Sequence, residues 1–287
     1  MKSMTNKLTP YLFISPYVIF FLTFIAFPVI FSVVLMFHKW NIIAPMEFAG
    51  LTNFVRLIHD PMFFRSLLNT VIFLVIHIPL QIIIALFFAE LLNQNIRLRG
   101  FFRGAYFLPV VVSGVVITIL WQQLMGFDSG LINRLLVRLG LGKVGWLVDP
   151  AIAMPSIALI ATWKNVGLYI VLFLAGLQSV PPYYYEAADI DGATHWQKFR
   201  YITLPAINPT IFMVLVLSTI GGFSLFIEPY ILTGGGPLNS TLSTVLYIYK
   251  EGFFFYHMGY AATLGIVYAF MILLVIAIQR RFVEKEV

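Results

Sequence analysis

Cysteine is absent from this chain. That excludes disulfides, thiolate nucleophiles and cysteine metal sites, and it identifies no compartment. Charge is scarce as well. Asp, Glu, Lys and Arg make up 10% of the 287 residues, against 60% hydrophobic residues and a mean hydropathy of +0.92. A soluble domain is about a quarter charged. A water-soluble core of this length could not hide so much apolar surface, so the composition points to an integral membrane protein. Histidines are few: His38, His59, His77, His195 and His257 are scattered without metal-ligand spacing. No Ser-His-Asp grouping falls at one expected depth. Gly140-Leu141-Gly142-Lys143 lacks the G-x4-G-K-[ST] spacing of a phosphate loop. No metal site and no catalytic residue is expected, and the chain does not read as an enzyme.

Acidic residues are outnumbered, giving a net charge of +6 and a pI near 9.5. No basic stripe is interleaved with aromatics, so nucleic acid is not an expected partner. Lys and Arg gather in the cytoplasmic loops of membrane proteins, which explains the excess better. What is abundant is the long apolar run. A spanning helix needs about 20 largely apolar residues. Six such runs are read at 11–36, 67–92, 105–124, 152–177, 209–227 and 260–279. They are too long for strands and lack the alternation of a membrane barrel. The expected fold is an all-α integral membrane bundle, one domain over 1–287, with no internal repeat. The first run exceeds the roughly 7–15 apolar residues of a signal peptide and reads as a first spanning helix. Pro28, Pro79 and Pro109 are expected to kink their spans.

Charge also sets the expected orientation. With the N-terminus inside, ten Lys and Arg residues fall on the inner side, including Arg97, Arg99, Arg103, Arg280, Arg281 and Lys285. Seven fall outside and Lys164 lies within a span. Both termini are therefore expected in the cytoplasm. The outer stretches 53–68 and 131–141 carry apolar residues at helical spacing around Arg56, Arg65, Arg134 and Arg138. They read as short helices lying at the interface or as solvated loops. Gly234-Gly235-Gly236-Pro237 marks a sharp turn outside the fifth span.

The polar loop at 179–206 is the most informative segment. Pro181-Pro182 can start a helix but not continue one, Gly192 breaks it, and Thr194 can cap a second. The spacing predicts a helix–turn–helix along the inner face. Ala187, Ala188 and Gly192 are small and permit close approach by a partner. Glu186 offers that partner a charge, and Ile202 and Leu204 can anchor the second helix to the bundle. In sequence the loop reads E-A-A-x3-G-x9-I-x-L-P over residues 186–205. It resembles the coupling loop of the membrane subunits of ATP-binding-cassette importers. On that resemblance Glu186, Ala187, Ala188, Asp189, Gly192, Ala193, Leu204 and Pro205 couple the chain to an ATPase.

The resemblance runs nearly end to end. Gly50-Leu51-Thr52-Asn53-Phe54, Asn69-Thr70, Phe107-Leu108-Pro109 and Thr162-Trp163-Lys164-Asn165-Val166-Gly167 carry it. So do Leu232-Thr233-Gly234-Gly235-Gly236-Pro237 and Met258-Gly259-Tyr260-Ala261-Ala262. These are similar to the carbohydrate-uptake permeases that include the maltose importer, in its larger-subunit branch. The chain departs from the maltose subunit in lacking a large inserted outer domain and extra leading spans, which argues against maltose itself. The resemblance implies the type I importer permease fold, a second related permease and two copies of a cytoplasmic ATPase. It also implies an extracytoplasmic solute-binding protein, a sugar or oligosaccharide as solute, and a bacterial or archaeal cytoplasmic membrane with its lipid. It implies no cofactor on this chain, with ATP and Mg on the ATPase.

Ionisable groups inside a membrane are costly and mark candidate function. Lys164 lies mid-span, flanked by Trp163 and Asn165. It reads as a solute-path residue or as a structural Lys paired with a carbonyl or with Glu228, itself expected at the outer end and in water. Gly222 and Ser224 in the fifth span, and Tyr268 in the sixth, are further solute-path candidates. His77 and Gln81 share one face at i, i+4 and read as hydrogen-bonded packing. Lys164→Ala is expected to alter uptake and leave assembly intact. An importer of another solute, such as glycerol phosphate or a polyamine, and a self-sufficient secondary transporter stand as alternatives.

Overall fold

A computed structural model describes residues 2–94 and 99–283. Of the residues used above for orientation, Arg97 and Lys285 lie outside that range. α1 (Lys2–Phe21) passes through a π turn, Leu22–Ala26, into α2 (Phe27–Leu35). Pro28 sits in the first turn of α2, and the Phe27 amide reaches back five residues to the Leu22 carbonyl. The wider turn accommodates a proline that a strict α-ladder disfavours. β1 (His38–Lys39) then pairs antiparallel with β2 (Glu47–Phe48), Lys39 opposite Glu47. In α3 (Thr52–Ile58), buried Asn53 donates to the carbonyls of Met36 and His38 at 3.0 Å each. The Gly-Leu-Thr-Asn-Phe stretch is thus a clasp on the end of the first span.

α4 (Pro61–Asn93) starts six residues before the expected span, because proline suits a first helical turn, and it continues through Pro79. α5 (Arg99–Val111) and α6 (Gly114–Leu124) correct the third expected span. Residues 105–124 are not one helix: the two pieces meet at 96°. The break falls at Val112-Ser113, where Ser113 is extended at ψ 127°, and not at Pro109. α7 (Leu131–Arg138) follows, then α8 (Ala153–Gln178), α9 (Pro182–Ile190) and α10 (His195–Lys198). A second π turn, Phe199–Thr203, precedes Pro205 in α11 (Leu204–Ala206), repeating the device at Pro28. α12 (Asn208–Phe223), α13 (Ile227–Leu232), α14 (Thr244–Tyr249) and α15 (Met258–Val283) complete the chain. The fifth expected span is also corrected, since Ser224–Leu225–Phe226 is unwound between α12 and α13. Among the described residues, five helical stretches are long and apolar enough to cross a membrane, or six with the bent pair counted as one. The protein is a multi-pass membrane protein.

The chain packs as two compact units. One comprises Met1–Pro61 and Ile248–Phe270, the other Met62–Tyr247 and Met271–Val287. Within the first, Arg56 donates to Glu251 at 2.8 Å and lies 3.8 Å over the Tyr260 ring, whose hydroxyl bonds Asp60. In the second, Ala85 and Ala89 of α4, Ile170 and Phe173 of α8 and Val214 of α12 form the core. Among the long helices α8 is the least apolar and the most enclosed. It can carry polar groups because neighbouring helices cover most of it. The turn bearing Gly234–Gly236 is pinned from the start of α4. Asn69 donates to the carbonyls of Asn239 (2.7 Å) and Leu242 (3.1 Å), and Thr70 meets Thr244 at 3.2 Å. Two separate motifs of the sequence are halves of one lock.

α5 lies directly on α8 because Gly167 presents no side chain. A Cβ there would collide with the Tyr106 carbonyl. Gly167→Leu should therefore destabilise the fold by about 3 kcal/mol through overpacking. The check is the thermal unfolding midpoint of the purified protein, with exposed Leu168→Ala as a control that stays near wild type.

Candidate functional site

Two sites emerge from the second unit. The first is a cavity of about 210 Å³ where the unwound Ser224–Phe226 segment faces α4 and α8. Lys164 forms an ion pair there with Glu228, their side chains 16% and 7% exposed. Glu228 does not sit in water as the sequence suggested. The break before α13 folds it inward and places it in the first turn of a helix, where the backbone dipole favours a carboxylate. Gly114 at the start of α6 is close by; a Cβ on it would lie 3.3 Å from Lys164 Nζ. The unwound backbone is satisfied internally, with Ser243 donating to the Leu225 carbonyl at 2.6 Å. Irregular backbone at membrane depth survives where it is buried in protein or lines a cavity.

Polar groups ring this space. The Thr162 hydroxyl donates to the Ala158 carbonyl at 2.7 Å, so His77 Nδ1, 2.8 Å away, donates to Thr162. Ser218 donates to Gln81 at 3.2 Å, and the Tyr169 hydroxyl joins both. His77 and Gln81 thus make the hydrogen-bonded packing expected of them. Asn165 spends one amide hydrogen on the Ala161 carbonyl, and the Ser224 hydroxyl donates to Ile220. Of the solute-path candidates, Lys164, Asn165 and Ser224 line the cavity. Trp163 lies off it, 44% exposed and edge-on to Trp121. Gly222 backs onto Leu74, which a Cβ would strike, so its smallness serves helix packing. Tyr268 is buried in the first unit and is not among the cavity's lining residues. His77, Tyr169 and Ser218 line the cavity but were not singled out as site residues; lone polar groups on apolar helices gave no cue to their convergence.

The second site is the 179–206 loop. α9 starts with Pro182 at its first turn and ends where Gly192 turns left-handed at φ +76°. Ala193 N–H returns to the Ala188 carbonyl at 2.9 Å and Gly192 N–H to Asp189 at 3.2 Å. This is the paired bonding of a Schellman end. Thr194 and Gln197 form a reciprocal capping box that starts α10. The arms are then tied twice: Lys198 bonds Asp189 at 2.6 Å and the Tyr185 hydroxyl meets Thr203 at 2.9 Å. The result is a stiff, exposed hairpin of helices.

Glu186, Ala187, Asp189 and Gly192 are exposed on it, as is Pro205; Ala193 and Leu204 are half-buried. Ala188 differs from its expectation as a partner-facing residue. It is only 9% exposed, because it lies on the inner side of α9 and closes the Schellman turn. The sequence reading passed over the apolar groups the hairpin shows to solvent: Ile190 at 88%, Tyr201 at 73% and Trp196 at 67% exposed. Ile190 between Asp189 and Asp191 was the available signal, a lone apolar residue in a polar turn.

Residues 63–286 match the family model described as "binding-protein-dependent transport system inner membrane component". The chain belongs to that family. It is 38% identical to the arabinooligosaccharides transport system permease protein AraP of Bacillus subtilis, over 94% of this chain and 87% of that one. It is 38% identical to the lactose transport system permease protein LacF of Rhizobium radiobacter, over 91% and 89%. Among solved structures it is similar to a chain of the bacterial alginate ABC transporter in complex with an alginate pentasaccharide-bound periplasmic protein. The TM-score is 0.83 and the identity 26%, over 100% of this chain and 99% of that chain. The protein is thus a membrane-spanning permease subunit with the type I ABC importer fold, a transport component and not an enzyme.

The Lys164–Glu228 pair revises what substitution there should do. Removing one partner strands a buried charge, which costs about 3–5 kcal/mol. Lys164→Ala should lower the thermal midpoint of the purified permease sharply, and Lys164→Met with Glu228→Gln should recover most of it. At Gly192, a left-handed backbone costs most side chains about 1–2 kcal/mol, and asparagine less. Gly192→Val should expose the hairpin to limited proteolysis, while Gly192→Asn should stay protected.

Proposed function

We propose that this permease forms half of the translocation path of an ATP-driven, binding-protein-dependent importer of a sugar or oligosaccharide. It acts in the cytoplasmic membrane of a bacterium or archaeon, as one transmembrane domain over 1–287 with both termini in the cytoplasm. The observation that carries the reading is the cavity at the break between α12 and α13, where Lys164, Asn165 and Ser224 gather beside unwound backbone. Amide, ammonium and hydroxyl groups suit sugar hydroxyls. Trp163, Gly222 and Tyr268 are proposed for the solute path on sequence grounds. The arabinooligosaccharide, lactose and alginate systems of its relatives support carbohydrate as the solute class.

The 179–206 hairpin docks a cytoplasmic ATPase, which holds ATP and Mg; no cofactor belongs to this chain. Glu186, Ala187, Asp189 and Gly192 meet that partner together with Ile190, while Ala188, Ala193, Leu204 and Pro205 shape the hairpin and its root. A second permease completes the bundle, a second ATPase copy completes the motor, and an extracytoplasmic solute-binding protein delivers the sugar. ATP closure moves a stiff hairpin, and the bundle switches between two states that open to opposite sides.

The test is uptake of labelled lactose, arabinotriose and maltotriose by proteoliposomes carrying the whole complex. ATP-dependent uptake of at least one is expected. Glu186→Lys should reduce it more than tenfold with the chain still inserted, and Asn165→Ala should raise the half-saturating concentration. Uptake that follows an ion gradient without ATP would overturn the importer reading.

A further inference from the structure

The first unit holds a cavity of about 550 Å³, more than twice the volume of the one beside Lys164. It is built by the β1–β2 hairpin, α3 and the start of α15. These segments are about 200 positions apart in sequence. All of them fall in or beside loops that the charge pattern puts outside the membrane. Nothing in the permease reading uses this space.

Its lining has three properties. Aromatic faces are present and fixed: Trp40 is half-buried and edge-on to Phe31 at 6.1 Å, and Tyr256 stands 52% exposed at the rim. The charges are internally balanced. Lys39 stands opposite Glu47 in the strand register, and Arg56 and His257 both contact the Glu251 carboxylate at 2.8 Å. The rim is also held in a costly shape. Ile42 at φ +73° and Tyr256 at φ +58° are left-handed without being glycine. Such backbone persists only where the surroundings enforce it, and it gathers at ligand clamps. Here the Met258 amide bonds the Trp40 carbonyl at 3.0 Å and the His257 amide bonds Glu251 at 2.8 Å.

A phosphate or anionic lipid headgroup would meet the Glu47 carboxylate in the lining, with Arg56 and His257 already held by Glu251, and an aliphatic tail needs a lining without Arg, Lys and Asn. A neutral polyhydroxylated ring fits the aromatic faces and the mixed charge of the lining. Its apolar face lies on indole or phenol. Its hydroxyls take donors from Arg56 and from Asn41, whose Oδ1 already accepts the Ala44 amide at 2.8 Å. We propose that this cavity is a carbohydrate-binding site on the outer side of the permease, additional to the one at Lys164, with Trp40 as its stacking platform. The inference rests on the sugar reading of the importer.

The experiment is equilibrium dialysis of tritiated lactose, arabinotriose and maltotriose against the full complex in lipid nanodiscs, without binding protein or glycoside detergent. Trp40→Ala and Asn41→Ala should each weaken binding of the retained sugar at least tenfold. Trp40→Phe should stay within about threefold of wild type, which separates loss of the platform from loss of the fold, and Leu168→Ala, at a residue that lines neither cavity, should bind like wild type. Sugar transported normally while its binding is indifferent to Trp40→Ala would overturn this site alone. Wild type that neither binds nor transports any of the three would overturn it together with the sugar reading. Weakened docking of the binding protein in Trp40→Ala, with sugar binding unchanged, would also overturn it and make the cavity a protein contact.

Discussion

The buried pairing of Lys164 with Glu228 is the constraint on which the cavity of the second unit depends. Two charges at membrane depth must satisfy each other or be lost. Their pairing ties α8 to the first turn of α13 and so holds the break between α12 and α13 in place. Because that break is held, Ser224–Phe226 can remain unwound, with the Leu225 carbonyl answered by Ser243. An unwound segment supplies what a continuous helix cannot: backbone and short side chains directed into a cavity between helices. The cost of burying charge is thereby converted into a permanent opening between helices.

The 179–206 hairpin solves the opposite problem, stiffness at the surface. Tyr185 and Ile202 rest its arms on the helix core. Its rigidity comes from local devices, namely proline at the first turn of α9, a Schellman end at Gly192, a capping box at Thr194 and two cross-links between the arms. Each device acts within a few residues, so each left a mark in the sequence. That is why the helix–turn–helix was legible from spacing alone. The burial of Ala188 was not, because which face of a nine-residue helix turns inward depends on where the second arm folds back.

The same division explains the rest of the fold. Long apolar runs locate spans reliably, since length and hydropathy are what the bilayer requires. Breaks inside them are decided elsewhere. Val112-Ser113 carries no stronger turn signal than Pro109, three residues earlier, yet the 96° bend falls there. α5 must lie on α8 through Gly167 while α6 follows α13, to which Gln122 donates at the Ile231 carbonyl. Glu228 was noticed in the sequence, and its pairing with Lys164 was one of the readings. Its depth was misjudged because an unbroken fifth helix would have carried it out to the surface.

The cavity between the β1–β2 hairpin, α3 and α15 shows why some sites stay hidden from sequence reading altogether. Trp40, Arg56 and Tyr256 have no common spacing, and each alone is an ordinary interfacial aromatic or cation. They become a site only because Asn53 clasps the end of the first span and Arg56 reaches Glu251 across 195 positions. The clasp is one of the stretches that carried the family resemblance, so part of the resemblance marks the scaffold of this cavity. Short motifs that look like labels of a family are, in this chain, mostly joints. Gly50–Phe54 fastens the hairpin, Asn69-Thr70 fastens the glycine turn, and Gly167 seats α5. Function is read from the openings that those joints hold apart.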